Sequence, residues 1–244
     1  MNSMMRILLL LFFICLSYYI NAFSQAKITL FTDVGSTNVT DEYFLKSATI
    51  GQYSFGKNQV EAGFLFNLKT TDENSFGGYQ LLASRDFKIK NRPFKIQGFW
   101  LQTIYSDLLR ETNWGTAISI QMKHFGATLG TEFRTYAFRD DAIRTYGIED
   151  GAAKLKEPFN FIYSLTYNLK PPENRWNAGL SITNFDYFTV NQETNPIFSL
   201  KGSYKFKGPI SLVTEAWYET SGVFNLYANY YGFYFRTGII WYIQ

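Results

Sequence analysis

Apolar and polar residues alternate along much of this chain. The alternation is strictest in residues 58–69, 113–123 and 158–169, each eleven or twelve residues long. In the first of these segments the apolar set is Val60, Ala62, Phe64, Phe66 and Leu68. Because successive side chains of a β-strand point to opposite faces, a period of two predicts strands with one apolar face. Such segments exceed the roughly five or six residues usual for soluble strands, and they match the ~9–11 residues of a tilted strand that crosses a bilayer.

The connections between the predicted strands alternate in length. Tight turns are predicted at residues 54–57, 89–92, 124–125, 170–174 and 207–208, and longer polar loops separate them. All six prolines fall at or beside segment ends, where a missing N–H does not interrupt a sheet. Five turns and six loops give twelve strands, expected at residues 27–35, 43–53, 58–69, 76–88, 93–106, 113–123, 126–138, 158–169, 175–185, 196–206, 209–219 and 232–243.

Short turns on one side and long loops on the other are typical of transmembrane β-barrels. A closed barrel also pairs every backbone group, which the interior of a bilayer requires. We therefore predict an all-β fold, a single antiparallel transmembrane β-barrel of about twelve strands. The stretch 223–243 is strand-like throughout and too long for one crossing. Either its first half extends above the membrane or the strand count differs by two.

The first 24 residues form a separate segment. One positive charge, Arg6, precedes an apolar run, and Ala22-Phe23-Ser24 places small residues at the −3 and −1 positions of a cleavage site. This pattern predicts a secretory signal peptide at residues 1–24 and a barrel domain at residues 25–244. The only cysteine, Cys15, lies inside the apolar run, so the mature chain is expected to lack disulfides. A lipid-modified Cys15 is the alternative, although no small residue precedes it.

The composition suits a chain that faces lipid on one side and water on the other. The chain has 24 Phe, 18 Tyr and 5 Trp, yet its mean hydropathy is −0.14. Charged residues, at 18%, lie below the roughly 25% typical of soluble domains. Because Tyr and Trp prefer the headgroup layers, we expect Trp100, Trp114, Trp176 and Trp241 near strand ends as aromatic girdles. A soluble β-sandwich with these rings in its core is the alternative. The small net charge of +3 argues against a nucleic-acid partner.

The C-terminal segment carries a pattern of its own. Its first alternating set is Phe235, Thr237, Ile239, Trp241 and Ile243, and its second is Arg236, Gly238, Ile240 and Tyr242. This segment resembles the terminal strand of Gram-negative outer-membrane β-barrels of the porin-like class, although the chain ends in Gln244 where many members end in an aromatic residue. The resemblance implies a location in the cell outer membrane, contact with membrane lipid and lipopolysaccharide, and recognition by the barrel assembly machinery during biogenesis. It identifies no substrate and no catalytic residue.

Charged residues on the predicted inward faces are candidates for lining the lumen. They are Glu61, Lys95, Glu132, Arg134, Lys201, Lys205, Glu215 and Arg236. In a wide aqueous channel these groups would be solvated, whereas in a narrow lumen they would form paired networks. Tyr136, Phe138 and Trp217 on the same faces indicate a constriction. For Glu132 and Arg134, a structural salt bridge and the steering of a solute are the two alternatives.

The longest predicted loop, residues 139–157, is rich in charge. Nine of its nineteen residues are charged. Its candidate functional residues are Arg139, Asp140, Asp141 and Arg144. Because long loops on a rigid scaffold commonly carry function, this loop folds into the mouth and restricts the pore, stands outward and meets a partner, or is merely solvated. Calcium on its carboxylates is conceivable, but their spacing is not that of an EF-hand. No amphipathic helix is predicted here or elsewhere in the barrel domain.

The sequence lacks catalytic motifs. Its one histidine, His124, lies in a predicted tight turn on the periplasmic side, where exposure to water is expected. A histidine base at the outer rim is therefore missing, and no H-E-x-x-H, G-x-S-x-G, P-loop or Cys/His metal motif occurs. We expect no enzyme activity, no metal and no other cofactor. An outer-membrane hydrolase that uses His124 is the competing hypothesis.

Two functions fit these features. The predicted function is a porin-like channel for diffusion of small polar solutes, with selectivity set by the inward charges and the 139–157 loop. In a channel, replacing Arg134 and Lys201 by glutamate is expected to shift ion preference. The alternative is a closed structural or interaction barrel that binds an outer-membrane or cell-surface protein partner through its external loops.

Overall fold

Twelve antiparallel strands form a closed barrel. The computed structural model describes residues 24–37, 43–69, 75–104, 109–147, 154–171, 174–185, 196–220 and 232–243. The strands are β1 Ser24–Thr37, β2 Phe44–Phe55, β3 Asn58–Asn67, β4 Phe76–Ile89, β5 Arg92–Ile104, β6 Leu109–Gln121, β7 Phe125–Phe138, β8 Lys154–Asn168, β9 Trp176–Thr183, β10 Ile197–Lys205, β11 Ile210–Glu219 and β12 Gly232–Ile243. The predicted fold and strand count are confirmed, and each predicted strand overlaps an observed one.

Two sequence predictions fall partly outside the described residues. The predicted signal peptide lies outside them except for Ser24, so it stays a prediction. The stretch 223–243 contributes one described strand, β12, and its first residues also lie outside the described part. No helix in the described residues is long and apolar enough to cross a membrane.

The first and last strands close the barrel along most of their length. β1 pairs with β12 from Ala26 opposite Ile243 to Thr37 opposite Gly232. The two strands are also joined through their side chains, because Asp33 and Arg236 face each other in this register and form hydrogen bonds. Closure leaves no open sheet edge among the described strands, as burial of backbone groups in a bilayer requires.

The two ends of the barrel differ. The short connections, residues 56–57, 90–91, 122–124, 169–175 and 206–209, lie together at what we term the short-turn end. The remaining connections, which include residues 139–153 and 184–196, join the strands at the long-loop end. The connection between β5 and β6, residues 105–108, is shorter than predicted because β6 begins at Leu109. A second exception is the short-turn connection 169–175, whose seven residues exceed the six of the long-loop connection 38–43; the other connections alternate in length as predicted.

Burial follows the alternation of the sequence. On β1, Phe31 and Asp33 are buried, whereas Leu30 and Val34 are exposed. Phe31 faces Ala48 on β2, which is buried too, so the buried positions of neighbouring strands share the inward face. The outward face carries exposed Leu, Ile, Phe and Trp side chains around the barrel. This is the apolar surface that lipid requires.

Four of the five tryptophans lie on the outward face. Trp176 and Trp241 lie near the short-turn end, in agreement with the expected position at strand ends. Trp100 and Trp114 face each other on β5 and β6, further inside their strands. Trp217 is buried and faces the lumen.

Two local departures from regular strands are visible. The register between β3 and β4 shifts next to Gly78, whose φ of 148° is open only to glycine; a Cβ there would lie 2.2 Å from the Gln102 carbonyl oxygen. A short helix, α1 Asp140–Tyr146, follows β7 and ends at Gly147 with a φ of 61°. The prediction of no helix in this loop was wrong. A helix of seven residues has only two turns, too few for an apolar helical pattern to stand out in the sequence.

Candidate functional site in the barrel lumen

The inward face of the barrel collects most of the buried polar side chains. All eight charged residues proposed from the sequence occupy inward positions in the strand register. They are Glu61, Lys95, Glu132, Arg134, Lys201, Lys205, Glu215 and Arg236. The structure does not bring them to one centre but distributes them over three groups along the barrel axis. Their role in a solute pathway stays a prediction.

Toward the long-loop end, Arg134 lies between two carboxylates. Its Nη2 donates to Glu132 Oε1 at 3.1 Å, its Nε lies 3.5 Å from Glu111 Oε1, and its Nη1 donates to the Tyr136 hydroxyl at 3.2 Å. Asn113 Nδ2 donates to the same Glu111 oxygen at 2.5 Å. The charged side chains of this Arg134 cluster are at most 4% exposed. The structure therefore contains a buried ion pair between Glu132 and Arg134, one of the two alternatives proposed from sequence.

Strand register assembles the Arg134 cluster. Glu132 and Arg134 are two residues apart on β7 and so share a face, while Asn113 on β6 faces Arg134 and Glu111 faces Tyr136. The β7–β8 register shifts between Glu132 and Arg134. Glu111 was missed because the sequence placed it in a loop before β6.

A row of alternating charges crosses four neighbouring strands in the middle of the barrel. It consists of Lys201, Glu215, Arg236 and Asp33 on β10, β11, β12 and β1. Lys201 Nζ lies 2.9 Å from Glu215 Oε1, and Arg236 forms a bidentate pair with Asp33 at 2.7 and 2.8 Å. The guanidinium also lies 4.3 Å from the centre of the Phe31 ring. Such bidentate and stacked contacts fix an arginine in place. Asp33 was not singled out from the sequence.

The short-turn end of the lumen is more open. Glu61 accepts a hydrogen bond from Gln80 Nε2 at 2.6 Å, and Lys95 donates to Gln59 Oε1 at 3.2 Å. Lys205 lies exposed at the mouth. The mouth holds a cavity of about 890 Å³, lined in part by Lys27, Gln52, Ser54, Lys205 and Tyr242.

An apolar bridge spans the lumen near mid-height. It consists of Leu82, Phe99, Leu101 and Ile162 on the strands, together with Phe185 from the segment that follows β9. The rings of Phe99 and Phe185 lie 5.0 Å apart, centre to centre. Phe99 belongs to β5, whereas Phe185 follows β9 and Ile162 belongs to β8, so the contact reaches from one wall to another. The bridge narrows the lumen through residues that were not singled out from the sequence. Tyr136, Phe138 and Trp217 also occupy inward positions, and their part in a constriction stays a prediction.

Asn184 directs Phe185 inward. Its Nδ2 donates to the Phe161 carbonyl at 2.6 Å, and its Oδ1 accepts from the Tyr163 N–H at 2.8 Å. These are backbone groups of β8 that a continuing β9 would have paired. A buried side chain thus ends β9 at Thr183 and allows the chain to turn toward Phe99.

A polar cavity of about 290 Å³ adjoins the bridge. Hydroxyl side chains line much of it, among them Ser119, Thr128, Ser164 and Ser199. Ser119 and Thr128 are hydrogen-bonded to each other at 2.9 Å. Its remaining lining includes members of the charge row and both rings of the bridge. The lumen therefore offers fixed hydroxyl groups next to paired charges.

The loop candidates follow β7 at the long-loop end. Arg139 precedes α1, Asp140 is its first residue, and Arg144 is exposed in its last turn. Arg144 Nε donates to the Asp140 carbonyl at 3.2 Å. The backbone of Asp141 belongs to the helix, and residues 148–153 lie outside the described part. Among the described residues, no three potential metal ligands come together.

His124 lies in the short turn between β6 and β7, as predicted. It is only half exposed, and its Nδ1 lies 2.9 Å from the Asn168 carbonyl oxygen on β8. The exposure to water expected from the sequence is therefore only partial, because the ring contacts the neighbouring strand.

Comparison with known proteins identifies the fold. No family model and no curated protein matches the chain. The COG4313 outer membrane channel from Pseudomonas putida F1 has 12% identity and a TM-score of 0.51 over 90% of this chain and 95% of its own. The KdgM porin has 10% identity and a TM-score of 0.50 over 88% and 99%. The fold is that of the porin-like outer-membrane β-barrels. In outer-membrane barrels the short turns face the periplasm, so we expect the short-turn end of this barrel to be the periplasmic end.

Proposed function

We propose that this porin-like barrel is a channel for the diffusion of small polar solutes across the outer membrane. The observation that carries the proposal is the polar lining of the lumen, with cavities of about 290 Å³ beside the apolar bridge and about 890 Å³ at the periplasmic mouth. Hydroxyl and amide side chains on a pore wall replace the hydrogen bonds that a solute loses with water. The apolar bridge restricts passage to small molecules.

Lys205 sets ion preference in this proposal. It is exposed at the periplasmic mouth and forms no ion pair with a described carboxylate, whereas Lys201 is paired with Glu215 at 2.9 Å. An unpaired charge at a mouth attracts counter-ions more strongly than a neutralised pair does. Arg134 is unsuited to this role because the Arg134 cluster is buried.

Planar-bilayer recording tests the proposal. Purified wild-type barrel is expected to give unitary currents, and Lys205→Glu to shift the reversal potential in a salt gradient toward cations. Lys123→Glu, the same charge change in an outer turn, is the matched control and is expected to leave the reversal potential near that of the wild type. A folded barrel without current at either polarity would contradict the channel. A conducting Lys205→Glu barrel with unchanged reversal potential would contradict only the role of Lys205.

A second function, a closed interaction barrel, is favoured by one observation. The apolar bridge and the buried Arg134 cluster occupy the lumen between its middle and the long-loop end. A barrel closed in this way would act through its external loops. It would carry no current, and replacing residues 140–146 by a Gly-Ser linker would remove cross-links to an outer-membrane protein partner. Retained cross-links in that variant would exclude the helix as the contact.

A further inference from the structure

The periplasmic end of the barrel carries a ring of positive charge. Each of the five short turns contains one lysine, and we term these five the basic collar: Lys57, Lys90, Lys123, Lys170 and Lys207. The short connections together have a net charge of +5, whereas the connections at the long-loop end have a net charge of −8 by sequence. The proposed channel does not depend on this asymmetry, because the collar lies in the turns beyond the strands, and of its lysines Lys207 also lines the mouth cavity.

The collar charges are not neutralised within the described part of the chain. Four of the five lysines are exposed and Lys170 is half-buried. None of them forms an ion pair with a described carboxylate. Inside the barrel the pattern is the reverse, since Arg134, Lys201 and Arg236 all pair with carboxylates. The collar is therefore available to anions outside the protein.

Aromatic rings fix the depth of the collar relative to lipid. Lys170 Nζ lies 3.5 Å from the centre of the Trp176 ring, and the guanidinium of Arg175 lies 5.1 Å from the centre of the Tyr204 ring. Both rings are on the outward face, 46% and 37% exposed. Trp and Tyr at the ends of transmembrane strands occupy the headgroup layer. The cations stacked on them thus lie at the depth of lipid phosphates.

We propose that the basic collar binds the phosphate groups of anionic phospholipids in the periplasmic leaflet. One lysine recurs for every two strands, a spacing of roughly 10 Å around the circumference, so the charges face a ring of separate lipids. A compact acidic protein would instead need positive charge concentrated on one side. Each lysine beside an anionic surface raises the local ratio of anionic to neutral lipid about fivefold. The proposal is independent of whether the lumen conducts.

Quenching of tryptophan fluorescence by brominated lipids tests the proposal. In a Trp100→Phe, Trp114→Phe background the outward reporters are Trp176 and Trp241, and the buried Trp217 is shielded from lipid. The barrel is reconstituted in mixed phosphatidylcholine and phosphatidylglycerol vesicles with one or the other lipid brominated. We expect brominated phosphatidylglycerol to quench more strongly, with a preference of about two- to fivefold at low salt that falls as salt rises.

Two matched variants show which lysines cause the preference for phosphatidylglycerol. Lys170 lies in the turn before β9, Lys207 in the turn between β10 and β11, and Lys57 in the first short turn beyond β1. Changing these three to Gln is expected to bring the ratio near one. The control variant loses the same charge away from the collar, through Lys46→Gln, Lys69→Gln and Lys201→Gln, and is expected to keep the wild-type ratio. A wild-type ratio of one at low salt, or equal losses in both variants, would overturn the proposal. Heat-modifiable migration checks folding; if the collar variant does not fold, the wild-type ratio and its salt dependence still decide.

Discussion

Replacing Arg134 by methionine tests the structural role of the Arg134 cluster. The change removes the guanidinium that lies between Glu111 and Glu132 and leaves these two carboxylates, both 2% exposed, in place. Methionine is flexible and apolar, so it can fill most of the space of the arginine stem. The main effect is therefore electrostatic, because two carboxylates that had a guanidinium at 3.5 and 3.1 Å would remain desolvated without it.

The expected loss of stability is large. Removing one partner from a buried ion pair costs about 3–5 kcal/mol. Asn113 still donates to Glu111 in the variant, which places the estimate near the lower limit, about 3 kcal/mol. Changing Glu111 and Glu132 to Gln in the same chain removes the uncompensated charges. The triple variant is expected to recover most of the loss, since neutral side chains of the same shape are far less costly to bury.

Urea unfolding of the refolded barrel in vesicles measures these differences, with tryptophan fluorescence and unboiled gel migration as two readouts. Lys95→Met is the control, because it breaks an ion pair with Asp86 whose side chains are 36% and 62% exposed and is expected to cost less than about 1 kcal/mol. If the free energy of unfolding of Arg134→Met lies within about 1 kcal/mol of the wild-type value, the cluster does not stabilise the barrel. If the triple variant is as unstable as the single one, packing and not charge explains the loss.

Three further changes probe the lumen and the sheet. Phe185→Ala is expected to raise unitary conductance by removing one side of the apolar bridge, and the lipid-facing Phe198→Ala is its control; equal conductance in both would exclude the bridge as the constriction. Asn184→Ala leaves backbone groups of β8 unpaired and is expected to cost about 1–3 kcal/mol in urea unfolding, so a cost near zero would contradict the assigned hydrogen bonds. Gly78→Ala is expected to lower the refolded fraction on unboiled gels, whereas normal refolding would show that the bulge can relax.

The fold was predictable because the bilayer imposes its pattern residue by residue. A strand between lipid and a lumen must alternate, as residues 58–69 do, and its length must suit the membrane. Turn residues then mark where the strands end, so the remaining errors concern the boundaries of single strands. The start of β6 was placed after Glu111 because Arg110, Glu111 and Thr112 interrupt the apolar series, although the strand simply extends beyond it.

The contents of the lumen were predictable only in part. Alternation identifies which charged residues face inward, but not which partners they meet, because partners are set by register between distant segments. Asp33 and Arg236 are 203 residues apart and meet only when the barrel closes. Asn184 and Phe185 gave no signal at all, since one ends a strand through side-chain hydrogen bonds and the other acts by crossing the lumen. Such contacts depend on which distant segments meet in the folded barrel, so they produce no periodic pattern in the sequence.

In the proposed channel, pore width and ion preference depend on different residues. The charge row pairs laterally, with each side chain bound to a neighbour on the same wall, so these charges neutralise one another without crossing the lumen. Width depends instead on the contact between Phe99 and Phe185, and ion preference on the unpaired Lys205. Because these sites share no partner, effects of Phe185→Ala on conductance and of Lys205→Glu on reversal potential should add independently in the double variant. A reversal potential in the double variant that differs from that of Lys205→Glu alone would show that the bridge itself selects ions.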